Sequence, residues 1–563
     1  MEKIEKIIIY QLFPRLFGNM NKAMVKGGSM AENGVGKLNS LTPSLLGKIS
    51  ALGITHIWYT GIIEHATKTD YSYFGIRRDH PDIVKGKAGS PYAIKDYYDI
   101  DPALAEDVPQ RMAEFEALVQ RTHKAGMKVI IDFVANHVFR EYSSDARQPY
   151  VRDLGQDDNT SVAFDAANSF YYIPGYPLSP DFDMPGEDFV YGEFPAKATG
   201  NDCFTPRPGK TDWYETVKLN YGVDYAKGGE THFLPIPDTW KKMLDILEFW
   251  ATKGVDGFRC DMAQMVPVEF WGWVIPQLKK AYPVIFIAEL YDPAEYGNYL
   301  TRGHFDYLYD KVGLYDTLRA VITRRKPAAD ITQCWQSVEG MQHRMLNFLE
   351  NHDEQRIASD FFASDARKGI PGMFVAALIN TNPVMIYNGQ ELGERGMDDE
   401  GYSGVDGRTS IFDYWSMASV RGWLSGEPLS AAQHSLRNTY HRLLHIAGTE
   451  PAVVHGAFYD LTYANMSNHR FDPDRQYAFL RKHKKDVLLC AVNFGDTEKT
   501  IHICIPQEAF STLGVKDNEP AGYTDLWTGE TNIGTLTAAC PYQLTLPPYR
   551  GRLLRFRYRA DAF

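Results

Sequence analysis

The fold is decided by a short stretch at residues 254–261, GVDGFRCD, in which an apolar strand pattern ends on an acidic residue. Successive side chains of a strand point to opposite faces, so Arg259 and Asp261 share one face and Cys260 faces the other way. Three further stretches combine an apolar run with polar residues at its end: 129–137 (VIIDFVANH), 285–289 (IFIAE) and 348–353 (FLENHD). This is the pattern of parallel strands that are buried on both faces and carry a site at their carboxyl ends.

The spacing of the acidic residues that end these stretches predicts one barrel. Asp261 and Glu289 are 28 residues apart, close to one strand–helix repeat of about 30 residues. Glu289 and Asp353 are 64 apart, or two repeats, whereas Asp132 and Asp261 are 129 apart, or one repeat plus a long insertion. The sequence therefore predicts an α/β fold, a (β/α)₈ TIM barrel with a domain inserted after its third strand.

Eight apolar or β-branched runs are the predicted barrel strands: Ile7–Phe13, Ile54–Thr60, Lys128–Val134, Val255–Cys260, Val284–Ala288, Phe305–Tyr309, Met345–Leu349 and Val384–Tyr387. Helical periodicity lies between them, as in Pro109–Lys124 and Thr239–Thr252. Gly254 stands where a glycine commonly ends a helix.

Two changes in pattern predict the domain organisation. Residues 138–237 are dense in Pro, Gly, Asp and Tyr and are too long for one loop, so we interpret them as an inserted domain B. From residue 450 to 563, short strand-like runs alternate with turns and no helix is predicted, which indicates a C-terminal antiparallel β-sandwich, domain C. Residues 1–137 and 238–449 then form the catalytic barrel, domain A. The strand-like runs are Tyr477–Leu480, Val487–Asn493, Thr500–Ile505, Tyr542–Leu546 and Arg552–Tyr558.

Composition excludes several classes of protein. The chain has 563 residues, 44% of them hydrophobic, and a net charge of −12, which argues against a disordered chain and against nucleic acid as a partner. No apolar run approaches the length of a membrane span. The basic run at 481–485 is interpreted as a solvated turn. None of the six cysteines forms a C-x-x-C pair, so zinc and redox sites are not predicted. The sequence predicts no oligomeric state.

The first residues, MEKIEK, run directly into an apolar strand and show no signal-peptide pattern. We therefore expect a cytoplasmic protein, or a periplasmic or secreted one whose signal peptide was removed.

The carboxylates at the strand ends predict glycoside cleavage. Arg259 beside Asp261 is expected to keep that carboxylate ionised. The apolar residues before Glu289 predict a partly desolvated carboxyl that keeps its proton. One charged and one protonated carboxyl group is the pair that glycosidases use. A third, Asp353 beside His352, is placed to hold sugar hydroxyls. A single carboxylate at a strand end is more often a cap or a surface ion pair, so the inference depends on the ordered set.

These stretches resemble those of the α-amylase family, glycoside hydrolase family 13. The resemblance rests on short regions in the family's order and spacing: 132–137 (DFVANH), 257–261 (GFRCD), 288–289 (AE) and 351–353 (NHD), with further matches at 92–102 (YAIKDYYDIDP) and 383–391 (PVMIYNGQE). It implies the same barrel, inserted domain B and C-terminal sandwich.

The resemblance also implies residue roles. Asp261 would be the nucleophile, Glu289 the acid and base, and Asp353 the stabiliser of the transition state. The residues expected to hold the substrate sugar are Tyr92, stacking on its ring, together with His137, Arg259, His352 and Arg356. Asn136 matches a calcium-ligand position. The residues after Asp261, Met262-Ala263-Gln264-Met265, depart from the pattern of many calcium-dependent members. We expect no required cofactor and keep bound calcium open.

The predicted function is that of a retaining α-glycosidase that hydrolyses α-1,4-glucosidic bonds in starch-like glucans or maltooligosaccharides. The main alternative is an α-glucan transglycosylase or a maltosyltransferase that uses maltose 1-phosphate, since residues 262–271 and 407–413 are similar to such enzymes. A non-catalytic glycan-binding protein is disfavoured because all three carboxylates are present. A metal-dependent barrel hydrolase would need a His-x-His on the first strand, where the chain has Tyr10-Gln11-Leu12.

Overall fold

The structure, a computed structural model, describes residues 5–184, 186, 189–396 and 402–559. Eight parallel strands form the central sheet, in chain order Ile8–Leu12, His56–Tyr59, Lys128–Val134, Gly257–Asp261, Ile285–Ala288, Tyr307–Tyr309, Met345–Leu346 and Val384–Tyr387. Each strand pairs with its neighbours in chain order, and the first strand also pairs with the eighth. Asn347 forms a parallel bridge to Val384, which closes the barrel.

The predicted fold class is confirmed. All eight strand predictions overlap an observed strand, and the third and eighth match at both ends.

Amphipathic helices surround the barrel strands. The helices of the described residues are Pro14–Phe17, Met30–Asn33, Pro43–Ser50, Arg111–Lys124, Asp238–Thr252, Val268–Ala281, Tyr296–Thr301, Asp316–Ile322, Ile331–Ser337, Ile370–Leu378, Ala418–Ser425, Ala431–Thr449, Pro451–Val454 and Gln507–Leu513. Asp238–Thr252 buries Met243, Leu247 and Trp250 against the sheet, as its periodicity predicts. Gly254 follows it with φ +87°, a left-handed conformation that glycine adopts without strain. None of the described helices is long and apolar enough to cross a membrane.

Alternation along the strands separates two apolar regions. One cluster fills the barrel interior with side chains from seven of the eight strands, including Ile9, Trp58, Ile130 and Met385. The larger core lies between the strands and the helices. A residue two positions beyond an interior residue points the same way. Gln11 therefore faces the barrel interior as Ile9 does, and Asp132 as Ile130 does. The polar site is thus the next layer above a packed apolar one.

The insertion after the third barrel strand consists of short antiparallel pairs joined by long loops. The pairs are His137–Phe139 with Thr216–Lys218, Tyr172–Ile173 with Ala196–Lys197, and Val223–Asp224 with Glu230–Thr231. A further antiparallel pair, Ile63–His65 with Ile94–Ile100, extends the loop after the second barrel strand. The domain limits 138–237 and 450–563 stay predictions.

The C-terminal region is an antiparallel sheet of six strands, in spatial order Ala457–Asp460, Gln476–His483, Asp486–Asn493, Arg550–Arg557, Pro520–Asp525 and Thr531–Thr535, with a separate pair Lys499–Ile503 and Tyr542–Leu546. The expectation that this region lacks helices is wrong. Gln507–Leu513 is a helix that buries Ala509, Phe510 and Leu513 and ends at Gly514, whose φ of 59° is left-handed. It is too short to give a clear periodic signal in the sequence.

Arg481 joins the C-terminal sheet to the barrel. Its side chain is fully buried, so the interpretation of residues 481–485 as a solvated turn is wrong for Arg481, although Lys484 and Lys485 are exposed. The guanidinium donates hydrogen bonds to four main-chain oxygens, those of Ile379, Ala452, Val453 and Gly456. Burial lowers the pKa of Arg481 to about 10. One buried cation therefore satisfies four carbonyl groups at the junction.

Replacing Arg481 with Leu should lower the free energy of unfolding by about 3–5 kcal/mol, because the four buried carbonyl groups lose their donors. Urea unfolding of the full chain measures the change. Lys485→Ala, an exposed position in the same basic run, is the matched control and should change stability by less than about 0.5 kcal/mol. Equal effects of the two substitutions would contradict the role given to Arg481.

Candidate active site

The guanidinium of Arg259 lies at the centre of the carboxyl end of the barrel. Its NH1 atom is 2.8 Å from Asp261 Oδ1 and 3.2 Å from Asp132 Oδ1, and its NH2 atom is 2.7 Å from Glu289 Oε2. The rings of Trp58, Tyr92 and Tyr309 lie within 5.2–5.5 Å of its central carbon. Aromatic faces are favourable neighbours of a buried cation. One fully buried cation thus holds three acidic side chains from three adjacent strands.

Asp261 ends the fourth barrel strand and is buried. Burial raises the pKa of Asp261 well above its usual value, and Glu289 and Asp132 add to that increase, while Arg259 opposes it. Arg259 favours the ionised form of Asp261, as expected from the sequence, but burial has the larger effect on its pKa. Desolvation of a carboxylate disfavours its charged form, and here it outweighs the adjacent cation. Burial likewise raises the pKa of Asp132 to about 6.

Glu289 lies among hydrogen-bond donors. Its Oε2 atom accepts a 2.8 Å hydrogen bond from the main-chain N–H of Met262 and contacts Arg259. Its Oε1 atom accepts a 2.5 Å hydrogen bond from the Tyr291 hydroxyl. Glu289 is buried, as the prediction of a partly desolvated carboxyl group requires, and its hydrogen-bond donors come from neighbouring elements. Met262 has φ +42°, a strained left-handed conformation for a residue with a side chain.

His352, from the loop after the seventh barrel strand, is held as a neutral ring. Burial lowers its pKa to about 3, and Arg259 adds to the decrease. Its Nδ1 atom is 2.8 Å from the Gln11 amide nitrogen, which donates to it, so the ring proton is on Nε2. Nε2 lies 2.6 Å from the Tyr92 hydroxyl and 3.2 Å from Asp353 Oδ2. Tyr92 stacks on this ring with centroids 5.2 Å apart.

A cleft of about 730 Å³ lies above these residues. Six of the residues predicted from the sequence line it: Tyr92, His137, Asp261, Glu289, His352 and Asp353. Lys210 and Trp213 of the insertion form part of the opposite wall. His137 lies 5.2 Å from Trp213 between ring centroids, and burial lowers its pKa to about 3. Arg259 lies beneath the cleft and contacts its carboxylates.

Arg356 is not in the cleft, so the prediction that it reaches the sugar is wrong. The side chain is fully buried. NH1 is 2.9 Å from Glu350 Oε2, Nε donates to Thr409 Oγ1, and the guanidinium lies 3.9 Å from the centre of the Tyr387 ring. Its main-chain N–H donates to Gly407 O. Arg356 therefore fixes the loop after Asp353 against residues 407–409.

Asn136 does not face a space suited to a calcium ion, because the residues around its side chain do not fit a metal. Its Oδ1 atom accepts a hydrogen bond from the Lys218 ammonium. The same ammonium donates to Met265 O at 3.0 Å and is 2.7 Å from Asp202 Oδ1. Lys218 is 2% exposed, and it is the cross-strand partner of His137. A lysine side chain thus occupies the position between the barrel and the insertion that the sequence assigns to a metal.

Comparison with known proteins agrees with this geometry. A family model described as "Alpha amylase, catalytic domain" matches residues 11–170. Alpha-amylase 2 of Dictyoglomus thermophilum is 21% identical over 504 residues, which span 89% of this chain and 71% of that protein. Over these residues the chain is similar to α-amylases, so the predicted resemblance to the α-amylase family is confirmed. The homologues are glycoside hydrolases, and the prediction of an enzyme of that class is confirmed.

Two solved structures share the fold of this chain. The maltogenic α-amylase AmyB from Thermotoga neapolitana superposes with a TM-score of 0.63 at 19% identity, covering 98% of this chain and 99% of that one. The α-amylase from Geobacillus thermoleovorans, solved in complex with acarbose, also gives a TM-score of 0.63, at 18% identity, with 98% of each chain covered. At this identity the likeness concerns the fold.

The sequence did not predict several residues of the site. They are Gln11, Trp58, Lys218 and Tyr291. Tyr291 follows Glu289 by two positions, a spacing that could have indicated contact. Gln11 follows the interior residue Ile9 in the same way. Lys218 carries no such signal, because it meets Asn136 only through the pairing of Thr216–Lys218 with His137–Phe139.

We propose that this enzyme needs no calcium at Asn136, because the Lys218 ammonium already supplies a cation there. Chelation by EDTA should leave both activity and melting temperature unchanged. Lys218→Ala should lower the free energy of unfolding by about 2–4 kcal/mol, since three oxygen acceptors lose a buried donor. Added Ca²⁺ should raise the melting temperature of Lys218→Ala and not that of the wild type.

The matched control is Lys227→Ala, an exposed lysine of the same insertion that pairs with Asp224, and it should behave as the wild type. Loss of wild-type activity in EDTA with recovery on adding Ca²⁺ would overturn the proposal.

Proposed function

We propose that the protein is a retaining α-glycosidase that hydrolyses α-1,4-glucosidic bonds in starch-like glucans or maltooligosaccharides. Asp261 is the nucleophile, Glu289 the acid and base, and Asp353 the residue that stabilises the charged sugar in the transition state. The observation that carries this proposal is the shared contact of Arg259 with Asp261 and Glu289. Two carboxylates spanned by one guanidinium suit the separation of about 5–5.5 Å that double displacement requires.

In the first step, the Asp261 carboxylate attacks the anomeric carbon and forms a glycosyl ester. The bond to the leaving oxygen breaks, its electron pair stays on that oxygen, and Glu289 supplies the proton that neutralises it. In the second step, Glu289 removes a proton from water, and the water oxygen displaces Asp261 from the same carbon. Two inversions restore the α configuration.

The neutral histidines support sugar binding. The ring proton of His352 on Nε2 faces the Tyr92 hydroxyl and Asp353, and both His352 and His137 line the cleft. Their lowered pKa values keep both rings uncharged at neutral pH, so they contact the sugar without adding charge near the anomeric carbon. Tyr92, stacked on His352 and lining the cleft, provides a flat ring for the sugar.

Asp261→Asn should lower kcat on maltoheptaose by about 10³-fold or more, because the amide cannot form the glycosyl ester. Reducing-sugar release measures the rate, and thermal unfolding shows whether the variant stays folded. Asp157→Asn, which removes an exposed carboxylate of the insertion, is the control and should keep full activity. A folded Asp261→Asn variant with near-normal kcat would remove Asp261 as the nucleophile.

The pH profile of kcat/KM should have an acid limb that reports the ionisation of Asp261. Asp261 attacks only when ionised, and burial raises its pKa, so activity should be lost on the acid side at a pH above that of an ordinary carboxyl group. An acid limb at about pH 4, the usual carboxyl range, would contradict the effect of burial on Asp261.

Transfer of the glycosyl group to a sugar hydroxyl or to phosphate would use the same covalent intermediate. Product analysis on maltoheptaose, with and without inorganic phosphate, separates these outcomes. Shorter products only are expected for the hydrolase. Products longer than maltoheptaose, or turnover that depends on phosphate, would replace hydrolysis with transfer as the main reaction.

A further inference from the structure

The Tyr291 hydroxyl lies beside Glu289, the proposed acid and base. It comes from the loop after the fifth barrel strand, and its ring borders both the main cleft and an adjoining cavity of about 490 Å³. The hydroxyl is 2.5 Å from Glu289 Oε1. Burial raises the pKa of Tyr291 well above its usual value, and the nearby Glu289 adds to the increase. The phenol therefore stays protonated at any working pH and acts as a donor.

The two oxygens of Glu289 differ in their partners. Oε2 accepts the main-chain N–H of Met262 and contacts the Arg259 guanidinium. Neither group can accept a hydrogen bond, so a proton on Oε2 would face two donors. Among the residues that the structure describes, Oε1 has a hydrogen bond only to the Tyr291 hydroxyl, which can rotate and accept as well as donate. The exchangeable proton of Glu289 therefore belongs on Oε1.

From this geometry we propose that Tyr291 is a positioning residue that fixes Oε1 as the oxygen of Glu289 from which the proton is delivered. The inference rests on the proposed glycosidase function. As the proton passes from Oε1 to the leaving oxygen, the bond between that oxygen and the anomeric carbon breaks, and Asp261 bonds to the carbon. Oε1 then gains negative charge, and a hydrogen bond from the Tyr291 hydroxyl stabilises that charge. In the second step, Oε1 takes the proton back from water.

Other groups also act on Glu289, and the test has to separate them from Tyr291. The charged and titratable side chains that face Glu289 are Arg259, Asp132, Asp261, His352, Tyr291 and Tyr309. Of these, Arg259 and Tyr291 contact its carboxylate directly. Removing the Tyr291 hydroxyl alone leaves the ion pair with Arg259 in place, so the variant changes one contact.

Tyr291→Phe is the test, measured with two substrates. A maltooligosaccharide has a poor leaving group that needs the proton, and kcat should fall about ten- to hundredfold. A nitrophenyl α-maltoside has a leaving group that departs without protonation, so the formation of the glycosyl intermediate should change by less than about threefold.

Tyr296→Phe is the matched control. Tyr296 lies in the next helix and is buried, and its hydroxyl has no hydrogen-bond partner among the described residues, so its removal should not change the ratio of the two rates. A Tyr291→Phe variant that loses activity equally on both substrates would overturn the inference. If the wild type cleaves neither substrate, the proposed function fails instead, so the two failures are distinguishable.

Discussion

The site depends on one constraint, the burial of a single cation among three carboxylates. Arg259 has no access to solvent, and a charge of that kind is tolerated only with opposite charges and donors in contact. Asp132, Asp261 and Glu289 come from three adjacent strands and meet on this guanidinium. The barrel register makes the meeting possible, because Arg259 is the cross-strand partner of both Asp132 and Ile287, two residues before Glu289. Moving any of these strands by one residue would turn its acidic side chain away from the site.

The polar groups around this cation form a layered arrangement above the apolar barrel interior. Gln11 orients His352, Trp58 donates to Asp132, and the main chain of Met262 donates to Glu289. The insertion contributes the opposite wall of the cleft and Lys218. Most of these contacts join residues far apart in the chain. The geometry of the carboxylates is therefore a property of the whole barrel and not of any one motif.

The sequence predicts the strands and the acidic residues well, because both depend on local pattern. Lys128–Val134 is predicted to the residue, and so are the positions of Asp261 and Glu289 at strand ends. What it misses depends on contacts between distant segments. The apolar residues before Glu289 lie along its own strand, whereas its donors come from Met262 and Tyr291. The resemblance predicts that Arg356 binds the sugar, yet its ion pair with Glu350 keeps the side chain out of the cleft.

Lys218 differs from a bound metal in a further respect. A metal exchanges with solvent, and its occupancy follows the free ion concentration, whereas the ammonium is tethered to the polypeptide and is present in every copy as soon as it folds. Its charge is also single, and it directs three hydrogen-bond donors where a divalent ion accepts six or more ligands. The junction between barrel and insertion therefore carries its cation from synthesis onward, and its occupancy does not depend on the concentration of a free ion.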